Sequence, residues 1–187
     1  MNKLTERLVL GGAALVVGLL VGWAGRGLAS YNSNMESMTS YQDWRTACPP
    51  ASVKEQSCQV IEEMLDNNTR APVVRIAITK EENKEVIGIT LPLGVALEPG
   101  LKLTLGKDAA LDVPFRTCSA VGCFAVMPVT DKLMASFKAA EDGKITAYGL
   151  DGKAVDIPMS FKGYSDALRA YHNGETRRSS WFWRMFS

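Results

Sequence analysis

The sequence contains one histidine, His172, in 187 residues. A single imidazole excludes histidine-pair catalysis and multi-histidine metal sites, and it removes most histidine-assisted nucleophiles. Net charge is nearly absent: 21 Lys and Arg face 20 Asp and Glu, leaving +1. Proteins that neutralise a phosphate backbone need a clear excess of positive charge, so no nucleic-acid partner is expected. Long disordered stretches are equally excluded by 47% hydrophobic and 22% charged residues. At this length one folded domain with extensions is the expectation. No convergent polar constellation points to catalysis, a cofactor, a metal or a small-molecule substrate. The paired acids Glu62 with Glu63 and Glu81 with Glu82 read as solvated charge, because neighbours on a strand point to opposite faces. His172 reads as a surface residue.

The charge that is present is unevenly spread. Residues 1–29 carry +2, residues 30–168 carry −4 and residues 169–187 carry +3. From Leu8 to Gly25 there are 18 uncharged, mostly apolar residues, preceded by Lys3 and Arg7. As a helix this run would be about 27 Å long, close to the hydrocarbon thickness of a bilayer. Residues 1–29 are therefore expected to form a single transmembrane anchor or an uncleaved signal. The basic start places the amino terminus in the cytoplasm and everything after residue 30 on the far side of the membrane. The alternative is a cleaved signal peptide, with Gly27 and Ala29 before the cut. Ala14, Gly18 and Gly22 recur every four residues and form a small-residue stripe on which a second helix could dock. Trp23 sits where an interfacial aromatic would lie.

The four cysteines form two sequence-local pairs, Cys48 with Cys58 and Cys118 with Cys123. Three connectivities are open, and local pairing is the simplest. Each such bridge is worth about 2 to 3 kcal/mol by loop-closure entropy. The spacings C-x9-C and C-x4-C do not match zinc knuckles or a C-x-x-C redox motif. Disulfides agree with export.

Residues 30–40 read as a polar linker. Beyond it, strands are predicted at 41–48, 57–64, 72–79, 85–91, 102–105, 112–118, 123–129, 144–148 and 154–160, separated by turn signals such as DNN, EENK, EPG and DGK. An all-β antiparallel sandwich or barrel of about eight or nine strands follows. A helix is predicted at 131–140 and a second amphipathic stretch at 165–172, so the fold class has one or two short helices behind a transmembrane helix.

Several blocks taken together resemble a known family. DWRTAC, then LPLGVALEPGLKL, then FRTCSAVGCFAVMPV and finally IPMSFKGYSDAL stand in the order found in the invasion-associated locus B family of exported bacterial proteins. The matching residues are Leu91 to Val95, Gly100, Phe115, Cys118, Gly122 and Cys123, with Ser160, Lys162, Gly163 and Tyr164 at the close, and the likeness covers residues 41–169. It implies an all-β periplasmic or envelope domain with no assigned catalytic activity or cofactor and, in some members, a role in host-cell invasion. Typical members begin with a removable signal and stop soon after the last block. Here the apolar run reads as retained and the chain continues to Ser187.

The tail, residues 170–187, mixes rings with cations: Arg178, Trp181, Phe182, Trp183, Arg184 and Phe186 suit either membrane headgroups or a protein interface. The expected function is that of a non-catalytic accessory subunit, docked on an inner-membrane protein complex through its transmembrane helix and periplasmic domain. Respiratory or other electron-transfer assemblies are candidates for that complex. The alternative is an exported envelope binding protein, cleaved after Ala29 and linked to host interaction or invasion.

Overall fold

Strands form where β-branched residues run on, and the longest such runs build the middle of the larger sheet. In the computed structural model, which describes residues 16–18, 36–50, 53–66 and 69–180, β4 (Pro72–Glu81) and β5 (Lys84–Leu91) form a hairpin. Glu82 and Asn83 at its tip both take positive φ, the conformation a tight hairpin turn requires. Around this pair, β1 (Ser37–Tyr41), β2 (Trp44–Cys48), β3 (Gln59–Leu65), β8 (Phe115–Ser119) and β9 (Gly122–Pro128) complete a sheet of order β1-β2-β3-β4-β5-β9-β8. A second sheet contains β6 (Leu101–Leu105), β7 (Leu111–Val113), β10 (Asp142–Tyr148) and β11 (Ala154–Ser160), in the order β11-β10-β6-β7. Every strand pairing is antiparallel. The core lies between the sheets: Val60, Ile76, Ile78, Ile87 and Ile89 come from the larger sheet and Leu101, Leu103 and Ile145 from the smaller, all fully buried.

Two helices close the core. In α1 (Asp131–Ala139), Thr130 accepts a hydrogen bond from the Leu133 amide at 3.2 Å, capping the first turn, while Leu133 and Phe137 face inward. The second, α2 (Tyr164–Ser179), buries Tyr164, Ala167, Leu168 and Tyr171 against β1, β2 and β3. It is seven residues longer at its carboxyl end than the stretch predicted at 165–172. The expected tail thus starts inside the domain, with Tyr171 fully buried.

Two further expectations change. Residues 37–41, all but the last predicted as linker, are the edge strand β1, with Ser37 opposite Cys48 and Tyr41 opposite Trp44. Most of its side chains are exposed, so it carries no apolar alternation to announce it. The single strand predicted at 112–118 is two strands in different sheets. Pro114 lies between them, and without an N–H it cannot continue a ladder. Among the described residues, no helix is long and apolar enough to cross a membrane. The predicted span lies outside those residues except for Val16–Gly18, which are helical and exposed.

Candidate functional site

The DW and SFKGY motifs, more than a hundred residues apart, meet at one edge of the sandwich. Trp44 is fully buried and donates its indole N–H to the Ser160 carbonyl at 2.7 Å. The Ser160 amide donates to Glu62 Oε1 at 2.9 Å, and its hydroxyl lies 2.6 Å from Asp43 Oδ2. The amide of Asp43 donates back to the Lys162 carbonyl at 3.3 Å. Behind these bonds the Tyr164 ring packs edge-on to Trp44 with centroids 4.9 Å apart, and Phe161 and Phe137 extend the aromatic cluster. Gly163 takes φ +84°, and a Cβ there would collide with the Tyr41 carbonyl oxygen. The end of the smaller sheet is thereby clasped to the start of the larger.

Glu62 overturns its expectation as solvated charge. It is only 4% exposed because its strand position puts it opposite Trp44 on the core face, while Glu63 points outward to Arg45 and Arg75. Its Oε2 is buried with no hydrogen-bond partner. Burial drives its pKa from 4.5 to about 7, the Ser160 amide partly opposes this, and the Asp43 carboxylate adds to it. The signal available in sequence was register: Glu62 shares the parity of Val60 and Met64. Burial likewise raises the Tyr164 and Tyr171 hydroxyls above their ordinary values.

At the far end of α2 a second polar assembly ties the helix to the β2–β3 connection. Cys48 and Cys58 are joined in a disulfide beneath Gly174, and Cys118 and Cys123 in another across the β8–β9 hairpin. Glu175 accepts from the Cys58 amide at 2.7 Å and from Lys80 at 3.0 Å. Arg178, expected at a membrane or partner surface, instead donates to the carbonyls of Pro49, Pro50, Val53 and Gln56. A planar guanidinium with five donors suits such a carbonyl cluster. Beside it the outer face of the larger sheet has a shallow hollow of about 360 Å³, with Met38, Ala47, Pro49, Pro50 and Ile61 among its apolar lining and Arg45 and Arg75 among its polar lining.

The other expected site residues do not gather. Gly18 has open space around it, while Ala14 and Gly22 lie outside the described residues. So do Trp181, Phe182, Trp183, Arg184 and Phe186. His172 is half-exposed, 3.9 Å from Glu85. Glu81 is exposed and pairs with Arg116 at 2.9 Å. Among the described residues no group of three His, Cys, Asp or Glu side chains is placed to hold a metal.

Other motif residues also sit at close approaches of backbone. A Cβ on Gly122 would collide with the Leu91 carbonyl oxygen, and one on Gly100 would lie 2.7 Å from the Val113 carbonyl oxygen. The blocks carrying the resemblance therefore meet in space. The family model described as "Invasion associated locus B (IalB) protein" matches residues 44–172. Two Invasion protein B homologs of Brucella abortus, from strain 2308 and from biovar 1 strain 9-941, are each 27% identical over 131 residues, covering 69% of this chain and 75% of theirs. The crystal structure of invasion associated protein B from Bartonella henselae shares the fold, with a TM-score of 0.63 and 17% identity over 73% of this chain and 96% of that one. By motif, family match and sandwich alike, the chain belongs to the invasion associated locus B family.

Proposed function

We propose that this chain is a non-catalytic envelope protein, held at the periplasmic face of the inner membrane by residues 1–29 and serving as an accessory subunit of an inner-membrane protein complex. The observation carrying this reading is where the chain enters and leaves the domain. β1 starts with Ser37 opposite Cys48, and α2 ends with Arg178 on the Pro49 and Pro50 carbonyls, so both extensions depart from one end of the larger sheet. The opposite end carries Leu93, at the exit of β5, and Val121, in the β8–β9 turn, 59% and 78% exposed. A tether at the first end would leave these apolar loops free to meet a partner protein. The two disulfides support an oxidising compartment for the domain. The close approaches made by Gly100, Gly122 and Gly163 support a non-catalytic reading, because the motif residues there serve architecture.

A second reading is favoured by the likeness to the Brucella Invasion protein B homologs. In it, cleavage after Ala29 releases an exported binding protein that acts in host interaction. A native gel of mildly solubilised membranes, with mass spectrometry of the band, separates the two. Migration in a large complex with a peptide beginning at Met1 or Asn2 is expected. Migration alone with an amino terminus at Ser30 would overturn the anchored reading.

A further inference from the structure

We propose that Cys118–Cys123 is a thiol–disulfide exchange site: a dithiol reaching the β8–β9 hairpin opens this bridge in the folded protein, leaves Cys48–Cys58 closed and frees the hairpin tip. Three observations carry this. The first is access. Cys118 is exposed, whereas Cys123, opposite it in the ladder, is only 3% exposed. Exchange needs a path for a thiolate to one sulfur, and Cys118 offers it. The other bridge is closed off: Cys58 belongs to the hydrophobic core, Cys48 packs against that core, and Gly174 of α2 lies against both sulfurs.

The second is what the bridge holds. β8 is the last strand of the larger sheet, with β9 as its neighbour, and their register breaks between Phe115 and Thr117. Beyond the break come Thr117 opposite Phe124, Cys118 opposite Cys123 and Ser119 opposite Gly122. So short an edge segment frays readily once its cross-link is gone, while the core is untouched. The third is the tip itself. Val121 is 78% exposed, and Gly122 presses on the Leu91 carbonyl two residues before Leu93, which is 59% exposed. The bridge therefore clamps a tip that carries exposed apolar surface, and its redox state sets how that surface is presented. The site stands whatever those loops meet.

In the exchange, one thiolate of the dithiol attacks Cys118 Sγ. A new S–S bond joins the dithiol to Cys118, the bond to Cys123 breaks, and the Cys123 sulfur leaves with the electron pair and takes up a proton. The second thiol, once deprotonated, attacks the mixed disulfide and releases Cys118 as a thiolate, which is protonated in turn. The dithiol ends as a disulfide, and two electrons and two protons have passed to the bridge.

The test uses the full chain in mild detergent with dithiothreitol as the dithiol. Samples are quenched by unfolding in excess N-ethylmaleimide, and labelled peptides are read by mass spectrometry. Cys118 and Cys123 should become labelled at least about a hundredfold faster than Cys48 and Cys58. Equal rates would show both bridges opening through global unfolding and would overturn the proposal, as would earlier opening of Cys48–Cys58. With glutathione as a monothiol, the adduct should sit on Cys118, and an adduct on Cys123 would overturn the direction of attack. In the protein reduced at this one bridge, amide exchange at residues 117–122 should rise at least about tenfold while β4 is unchanged. Unchanged exchange at 117–122 would overturn control of the tip.

Discussion

The two disulfides close loops of similar length, 10 and 5 residues apart, yet they sit in opposite kinds of surroundings. Cys48–Cys58 belongs to the half of the larger sheet that α2 covers: Cys58 is fully buried, Gly174 lies against both sulfurs, and Glu175 accepts from the Cys58 amide. Cys118–Cys123 ties the edge hairpin β8–β9, whose strands already pair and whose turn residue Val121 is 78% exposed. Loop entropy alone gives both bridges nearly the same value, so any difference between them measures packing.

The largest expected effect follows directly. Replacing Cys48 and Cys58 with alanine should cost about 4 kcal/mol, because the unfolded chain regains its loop entropy and the space the two sulfurs fill under α2 is left empty. Urea denaturation of the double variant checks it, and a loss no larger than that from the other bridge would break the comparison.

A second effect belongs to the same covered half. Below about pH 4.5 Glu62 is protonated whether the chain is folded or unfolded, so its burial carries no charge penalty. As pH rises toward 7 the unfolded chain releases the proton while the folded chain holds it. Folding stability should therefore fall by up to about 3 kcal/mol across that window and level off above it. Glu62→Gln keeps an oxygen for the Ser160 amide and should abolish this part of the fall. If urea midpoints measured at about pH 5 and about pH 8 differ equally in the variant and the parent, the clasp is not what titrates.

Replacing Cys118 and Cys123 with alanine comes third, at about 2 kcal/mol, since little beyond loop entropy is at stake. Differential scanning calorimetry should show a smaller drop in Tm than for the first pair, with the core transition still cooperative.

Sequence reached the covered half less well than the sheet centre, for physical reasons. The β4–β5 hairpin was legible because VVRIAI and VIGITL are rich in β-branched residues and EENK sits between them. The pairing of cysteines was suggested by spacing, but nothing in spacing distinguishes a bridge under a helix from one at an exposed turn. β1 escaped because SMTSY lies at an edge and has no buried face to pattern it. Glu62 escaped because acidic residues are rarely buried, and only its pairing with Trp44 and its contact with Ser160 across the sandwich reveal its place. Arg178 reads in the sequence as part of a tail suited to headgroups or a protein interface, because the carbonyls that hold it come from Pro49, Pro50, Val53 and Gln56, more than 120 residues away.

The smallest effect is the sharpest test of the comparison. Glycine inside a helix is worth about 1 kcal/mol less than alanine, so Gly174→Ala would stabilise α2 if the site were open. It is not open: a Cβ at this position would lie 2.6 Å from Cys48 Sγ and 2.9 Å from Cys58 Sγ. Sulfurs fixed in a bridge yield little, and overpacking of this kind costs about 1 to 3 kcal/mol. The net expectation for Gly174→Ala alone is a loss of about 1 kcal/mol. In a background where Cys48 and Cys58 are already alanine, both sulfurs are gone, and the same substitution should instead gain about 1 kcal/mol. Denaturation midpoints of the four proteins in this cycle measure the coupling directly. A change of sign would show that the glycine is required by the bridge beneath it. An equal loss in both backgrounds would mean that the helix backbone itself resists alanine, and the contact that sets the covered half apart would lose its meaning.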